Sequence, residues 1–134
     1  MVRRVVTIPI DASAYDAVKL MNKNRIGCLV VLYNNEIVGI LTERDLLKRV
    51  LEKCRDPKET VVSEIMTRQV IVGRPDMELV EATRLMFKKK VKKLPIAKGK
   101  RLVGLITLTD IARATSVDDN TLELLEQLSH MHMI

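Results

Sequence analysis

Apolar residues follow one pattern twice along this chain. A short apolar stretch of β type comes first, at residues 5–8 and again at 70–72. Apolar side chains then recur at intervals of three and four over residues 14–21 and 79–86, which is the spacing of one face of a helix. Each copy of the pattern therefore begins with a predicted strand followed by a predicted helix.

Two further apolar runs close each copy. They are joined by short polar or flexible links, which are Asn34-Asn35 in the first copy and Gly99-Lys100 in the second. Such links between β-type runs predict hairpins. A second helix is predicted to start at Thr42 and at Thr107. The predicted element order is thus β-α-β-β-α, present twice.

The two copies align without a gap when residue 1 is laid on residue 66 and residue 48 on residue 113. About a quarter of these 48 pairs are identical, whereas composition alone gives roughly 3 identities. A unit of about 60 residues is marginally stable by itself. The sequence therefore predicts an α/β (α+β) fold in which two β-α-β-β-α repeats share a core and pack as a pseudo-twofold pair.

The duplication also predicts the domain organisation. The first repeat is assigned to residues 1–54, a linker to 55–61, the second repeat to 62–115, and a C-terminal helix with a short tail to 116–134. Within the last segment, Leu122, Leu125 and Leu128 form an apolar stripe that is expected to pack on the module or on another subunit. We expect a homodimer, because closed twofold dimers are the commonest oligomers.

Composition and charge narrow the class of protein. Hydrophobic residues make up 47% of the chain, yet no apolar run approaches the ~18 residues of a membrane span, and no membrane association is predicted. Cys28 and Cys54 lack the spacing of a metal site and are interpreted as reduced thiols in a cytoplasmic protein. The net charge of +6 favours anionic partners.

One motif recurs at the strand-to-helix junction of both copies. It reads Gly-x-x-Thr-x-x-Asp, with Thr42 and Asp45 in the first copy and Thr107 and Asp110 in the second. A threonine N-cap with an aspartate at N3 is close to a capping box, which needs no ligand. The alternative is a ligand site, because the N–H groups of a helix N-terminus attract anions. Threonine can hold a phosphate there, and aspartate can accept hydrogen bonds from two ribose hydroxyls.

These residues resemble a known family. The segments VGILTERDLLKRV, VSEIMTRQVIVG and VKKLPIAKGKRLVGLITLTDIARA, together with the gap-free duplication, are similar to the tandem CBS-domain pair, or Bateman module. The resemblance covers about residues 1–115. It implies a pseudo-twofold unit with two clefts for adenosine derivatives such as AMP, ADP, ATP or S-adenosylmethionine. It also implies that the module regulates a partner protein, which the sequence does not identify.

The resemblance further implies which residues line the clefts. The first cleft would be lined by Thr42, Arg44 and Asp45 of its own repeat and by Lys92 and Lys93 of the other. The second would be lined by Thr107, Thr109 and Asp110, with Gly27 and Cys28 from the other repeat. In each, threonine and aspartate would contact phosphate and ribose, and Val6 and Ile71 would flank the adenine. The greater number of cations implies that the first cleft prefers the more highly charged nucleotide.

Catalytic functions find no support in the sequence. It contains no nucleophile elbow, phosphate-binding P-loop, metalloprotease motif or dinucleotide-binding glycine motif. His130 and His132 lie in the tail without other candidate ligands, so no metal site is predicted. We therefore expect no enzyme, no catalytic residue and no catalytic cofactor. The alternative to a nucleotide sensor is a nucleic-acid-binding or scaffolding accessory protein that uses a basic face around residues 88–93.

Overall fold

The structure, a computed structural model, describes residues 5–114. Within them the chain forms two compact units, one of residues Val6–Val70 and one that contains Val5 and residues 71–114. Residues 62–70 belong to the second copy of the sequence repeat, but they lie in the first unit of the structure. The domain boundaries given above concern the sequence repeat and stay a prediction. The segment 116–134, with its predicted helix and leucine stripe, lies outside the described residues.

The first unit contains three strands and the helices that cover them. In chain order the elements are β1 (Thr7–Pro9), α1 (Ala14–Asn24), β2 (Cys28–Tyr33), β3 (Glu36–Thr42), α2 (Glu43–Leu46), a π-helical segment (Leu47–Leu51) and α3 (Val62–Ile65). Strand β2 pairs with β1 in parallel and with β3 in antiparallel orientation. The N-terminus of α1 is capped by Ser13, whose hydroxyl accepts from the N–H of Asp16 at 3.0 Å.

The β2–β3 hairpin turns at Asn34 and Asn35, as the sequence predicts. Both residues have positive φ angles, 51° and 63°, which asparagine tolerates better than most residues and which match the twist of paired strands. The register places Cys28 opposite Thr42 and Leu29 opposite Leu41. The hairpin thus brings the start of β2 beside the end of β3, where α2 begins.

The core of the first unit is built from one face of α1, the inner side of the sheet and the segment around α3. Its members are buried apolar residues, namely Ile8, Ala14, Ala17, Met21, Leu29, Val31, Leu41, Val50, Val62, Ile65 and Met66. Residues 62–66 follow the predicted linker, so the chain returns to the first core before it enters the second unit. This return positions residues 65–67 against the end of β3.

The linker is itself tied to α1 by backbone hydrogen bonds. The N–H groups of Ala14 and Tyr15 donate to the carbonyl oxygens of Thr60 and Pro57, at 2.8 and 3.0 Å. These N–H groups belong to the first turn of the helix, where no intrahelical acceptor exists. The linker therefore completes the hydrogen bonding of α1, and this fixes where α3 and the residues after it lie.

The second unit repeats the helix and hairpin of the first. It contains α4 (Leu79–Lys89), β4 (Lys93–Lys98), β5 (Arg101–Thr107) and α5 (Leu108–Ala114), with β4 and β5 antiparallel. Helix α4 ends at Lys90 in the left-handed conformation, as α1 ends at Arg25. Its core consists of Ala82, Met86, Val91, Leu94, Ile96 and Ile111. The mixed α+β class is confirmed.

One predicted element differs between sequence and structure. Residues 70–72 form no strand, and the pairing is limited to a single parallel bridge between Gly73 and Ile96. The Gly73 N–H donates to the Pro95 carbonyl at 2.8 Å, and the Ala97 N–H donates to the Gly73 carbonyl at 3.0 Å. In this register the next hydrogen bond toward Ile71 would need an N–H on Pro95, and proline has none. The bridge therefore does not extend over residues 70–72.

Among the described residues, none of the helices combines the length and the apolar character needed to cross a membrane.

Candidate functional site

The first junction lies where β3 ends and α2 begins. Thr42 is the N-cap of α2, with extended backbone angles of φ −115° and ψ 164°. Its hydroxyl accepts from the N–H of Asp45 at 3.1 Å, and the Asp45 carboxylate accepts from the N–H of Thr42 at 3.0 Å. Both residues are buried, with exposures of 6% and 7%. The motif thus forms a complete capping box, which satisfies both N–H groups without a ligand.

Thr67 supplies another hydrogen bond to the same carboxylate. Its hydroxyl lies 3.2 Å from Oδ1 and 3.3 Å from Oδ2 of Asp45. The backbone of Thr67 exchanges two hydrogen bonds with Ile40 of β3, at 2.8 and 2.9 Å. Gly39 permits this approach, because a Cβ there would lie 2.6 Å from Met66 Sδ and 3.0 Å from the Thr67 carbonyl oxygen. The position of the hydroxyl is therefore fixed by backbone pairing.

Arg49 holds the segment that carries Thr67. Its Nη1 donates to the carbonyl oxygens of Ile65 and Met66, at 2.9 and 2.8 Å. The same nitrogen lies 4.0 Å from Asp45 Oδ1, and the Arg49 side chain is 46% exposed. An ion pair of this length and exposure contributes little. Arg49 therefore fixes the end of α3 more than it compensates the charge of Asp45.

The second junction, between β5 and α5, has the same capping geometry in a more open setting. The Thr107 N–H donates to the Asp110 carboxylate at 3.0 Å, and the Asp110 N–H donates to the Thr107 hydroxyl at 3.1 Å. Both residues are half-buried. Of the groups that the structure describes, Thr107 alone donates to the Asp110 carboxylate. The sequence position that corresponds to Thr67 is Val2, which has no hydroxyl.

In each unit, the residues that border the junction are ones that the family resemblance assigned to the opposite cleft. The Gly27 carbonyl accepts from the N–H of Glu43 at 3.0 Å, and Cys28 lies opposite Thr42. In the second unit, the Lys92 carbonyl accepts from the N–H of Leu108 at 3.2 Å, and Lys93 lies opposite Thr107. The assignment of Lys92 and Lys93 to the first cleft, and of Gly27 and Cys28 to the second, stays a prediction.

The remaining predicted site residues have simpler surroundings. Val6 packs against the first core and Ile71 against the second, so each has a structural role that needs no ligand. Arg44 is exposed in the first turn of α2, beside the capping box. Thr109 is the second residue of α5.

Thr67 and Arg49 belong to no motif that the sequence shows. Thr67 lies 22 positions from Asp45, and Arg49 donates to carbonyls 16 and 17 positions away. The one signal in the sequence is the segment Met66-Thr67-Arg68, which aligns with Met1-Val2-Arg3 but has a threonine in place of Val2. A hydroxyl that is present in one copy of a repeat and absent from the other indicates a hydrogen bond that only the first copy can form.

The chain is similar to known proteins over nearly its whole length. It matches the CBS domain family at residues 1–52 and again at residues 62–117. CBS domain-containing protein YhcV of Bacillus subtilis is 30% identical over 133 residues, which are 99% of this chain and 94% of that protein. The mitochondrial CBS domain-containing protein CBSX3 of Arabidopsis thaliana is 35% identical over 109 residues, 78% of this chain. The chain spans only 53% of that plant protein.

A solved structure gives the same result for the fold. A protein with CBS domains from Burkholderia ambifaria superimposes with a TM-score of 0.76 at 36% identity, over 87% of this chain and 86% of that chain. Two family matches, one per repeat, agree with the duplicated capping box at the two junctions. This chain belongs to the CBS domain family and is a tandem CBS-domain pair, a Bateman module.

Proposed function

We propose that this protein is a regulatory module that binds AMP, ADP, ATP or S-adenosylmethionine and acts on a partner protein that is still to be identified. CBS domains commonly bind adenosine ligands and regulate partners. The observation that carries the proposal is the duplicated junction, where a threonine hydroxyl and an aspartate carboxylate meet at a helix N-terminus in both units. The ligand would be a signal and not a catalytic cofactor, and the module itself would catalyse no reaction.

The junction offers the groups that a nucleoside phosphate needs. The N–H groups of a helix N-terminus and a threonine hydroxyl suit a phosphate. A carboxylate has about four acceptor positions, of which the capping box at Asp110 uses one, so ribose hydroxyls have acceptors left. The proposed ligand-binding residues are Thr42, Arg44, Asp45, Lys92, Lys93, Val6, Thr107, Thr109, Asp110, Gly27, Cys28 and Ile71.

A thermal-shift screen with AMP, ADP, ATP, S-adenosylmethionine and NAD tests the proposal. A ligand at 100 times its Kd stabilises a protein by about 2.7 kcal/mol. For a chain of this size we expect a rise in Tm on the order of 10 °C. The double variant Asp45→Ala/Asp110→Ala is the matched control and should show no rise. The absence of a shift with every adenosine compound in the wild type would reject the proposal.

We also propose that the module works as a homodimer in the cytoplasm. A groove of about 660 Å³ runs along α1, α2 and the π-helical segment of the first unit. Apolar side chains at its border are exposed, Val18 by 37%, Leu47 by 58% and Leu51 by 69%. A second copy of the chain would cover this surface. Light scattering should give the mass of two chains for the wild type and the mass of one chain for Leu47→Glu/Leu51→Glu.

A nucleic-acid-binding or scaffolding protein is the second candidate, and the distribution of charge favours it. Residues 71–112 contain ten lysines and arginines against four aspartates and glutamates, whereas residues 6–70 contain ten against nine. A concentrated basic region is the electrostatic footprint of a polyanion partner. Oligonucleotide binding that falls steeply with salt, without any nucleotide-dependent Tm shift, would favour this candidate.

A further inference from the structure

We propose that Thr67 sets the ligand affinity of the first junction by occupying the Asp45 carboxylate, which makes the Thr107/Asp110 junction the stronger ligand site. The inference rests on the proposed function, because it concerns which aspartate the hydroxyls of a bound ribose can reach. It reverses the order expected from the count of cations at the first cleft.

The Asp45 carboxylate accepts hydrogen bonds from two residues of the protein itself. The Thr42 N–H donates to Oδ2 at 3.0 Å, and the Thr67 hydroxyl lies 3.2 and 3.3 Å from the two oxygens. The side chain of Asp45 is only 10% exposed. A ribose hydroxyl that reaches this carboxylate must therefore compete with the hydroxyl of Thr67 for the few acceptor positions that are accessible.

The hydroxyl of Thr67 is a strong competitor because it is already in place. Two backbone hydrogen bonds hold Thr67 to Ile40, and Arg49 holds the carbonyls of the two preceding residues. An intramolecular donor loses no translational freedom when it binds, whereas a ligand does. Hydrogen bonds to a charged group are also the stronger ones. At Asp45 the ligand therefore competes with a donor that is already in place.

The second junction lacks this competition among the residues that the structure describes. Among the side chains and backbone groups that the structure describes, Thr107 is the donor to the Asp110 carboxylate, and Asp110 is half-buried. The residues that correspond to Thr67 and Arg49 in the repeat are Val2 and Ala114, neither of which has a side-chain donor. A ribose hydroxyl can therefore bind Asp110 without first breaking a side-chain hydrogen bond.

Calorimetric titration with ATP tests the inference in the Asp110→Ala background, where the first junction is the one left intact. Thr67→Ala and Thr67→Ser differ only in the hydroxyl, so the pair separates the donor from the bulk of the side chain. We expect Thr67→Ala/Asp110→Ala to bind ATP about tenfold more tightly than Asp110→Ala alone. This factor corresponds to one hydrogen bond to a charged group. Thr67→Ser/Asp110→Ala should bind ATP as tightly as Asp110→Ala alone. Circular dichroism should show that both double variants fold.

The outcomes separate this inference from the function on which it rests. If the wild type binds ATP but Thr67→Ala gains no affinity, or if Thr67→Ser gains as much as Thr67→Ala, the role of Thr67 is refuted and nucleotide sensing stands. If neither the wild type nor any variant binds ATP or another adenosine compound of the screen, the sensing function and the role of Thr67 are both refuted.

Discussion

The two junctions of this protein have one capping box in common and differ in what surrounds it. Thr42 and Asp45 are buried, and the aspartate also receives the hydroxyl of Thr67. Thr107 and Asp110 are half-buried and, within the described part of the chain, have only each other. The repeat thus preserves the local motif, while contacts from distant residues make the two copies unequal.

This difference shows that a repeated motif does not imply a repeated function. A capping box stabilises a helix whether or not a ligand is present, so both copies can keep it for structural reasons. In the proposed function, ligand binding depends on the acceptor capacity that remains on the aspartate. In the first unit Thr67 uses part of that capacity, whereas no described side chain of the second unit does so.

The largest loss of stability is expected from a substitution in the segment around Thr67, which makes the first junction different from the second. Ile65 is fully buried in the first core, just before Thr67. Ile65→Ala should lower the free energy of unfolding by 2–5 kcal/mol, roughly, because it leaves a cavity. Urea denaturation measures the loss. Arg84→Ala, at an exposed position of α4, is the control and should stay within about 0.5 kcal/mol of the wild type.

Replacing the two aspartates compares the junctions directly. Asp45→Ala removes a buried carboxylate that accepts from Thr42 and Thr67, so a loss of about 2–3 kcal/mol is expected. Asp110→Ala removes only the capping interaction, for which about 1 kcal/mol is typical. Thermal denaturation of both variants without ligand gives the difference. Equal losses would mean that Thr67 adds nothing to the first junction.

Two glycines test the close approach that places Thr67. Gly39→Ala would set its Cβ 3.0 Å from the backbone oxygen of Thr67, and overpacking of this kind costs about 1–3 kcal/mol. Gly27→Ala would meet only the side chain of Glu43, which is exposed and can move, so its cost should be smaller. Chemical denaturation of the two variants ranks them. A larger loss for Gly27→Ala would contradict the structural account of residues 66–67.

The sequence predicts the parts of this structure that have local causes. Helix α1, the Asn34-Asn35 turn and both capping boxes depend on residues within a few positions of each other. The contact between Thr67 and Asp45 depends on how residues 66–67 pack against β3. That packing cannot be inferred from the spacing of residues along the chain. The predicted strand at 70–72 is wrong for a related reason, since Pro95 of the distant strand β4 has no N–H for the pairing that the apolar pattern alone suggests.

The smallest changes in the free energy of unfolding are expected when two arginines, one in each unit, are replaced by alanine. Arg49 donates to two backbone carbonyls, and Arg49→Ala should cost about 1 kcal/mol. Arg74 pairs only with Asp76 at 3.3 Å, and the two side chains are 71% and 81% exposed. Arg74→Ala should therefore change the free energy of unfolding by less than about 0.5 kcal/mol. Urea denaturation distinguishes the two, and a reversed order would show that Arg49 does not hold the segment before Thr67.

Titration of three proteins with ATP by calorimetry tests the central claim most directly. The wild type should bind ATP saturably, Asp45→Ala should retain that binding, and Asp110→Ala should weaken it at least about tenfold, the effect of one hydrogen bond to a charged group. Loss of binding in Asp45→Ala with retention in Asp110→Ala would contradict the proposed inequality of the junctions. An absence of saturable binding in the wild type, with ATP and with the other adenosine compounds, would contradict the sensing function itself.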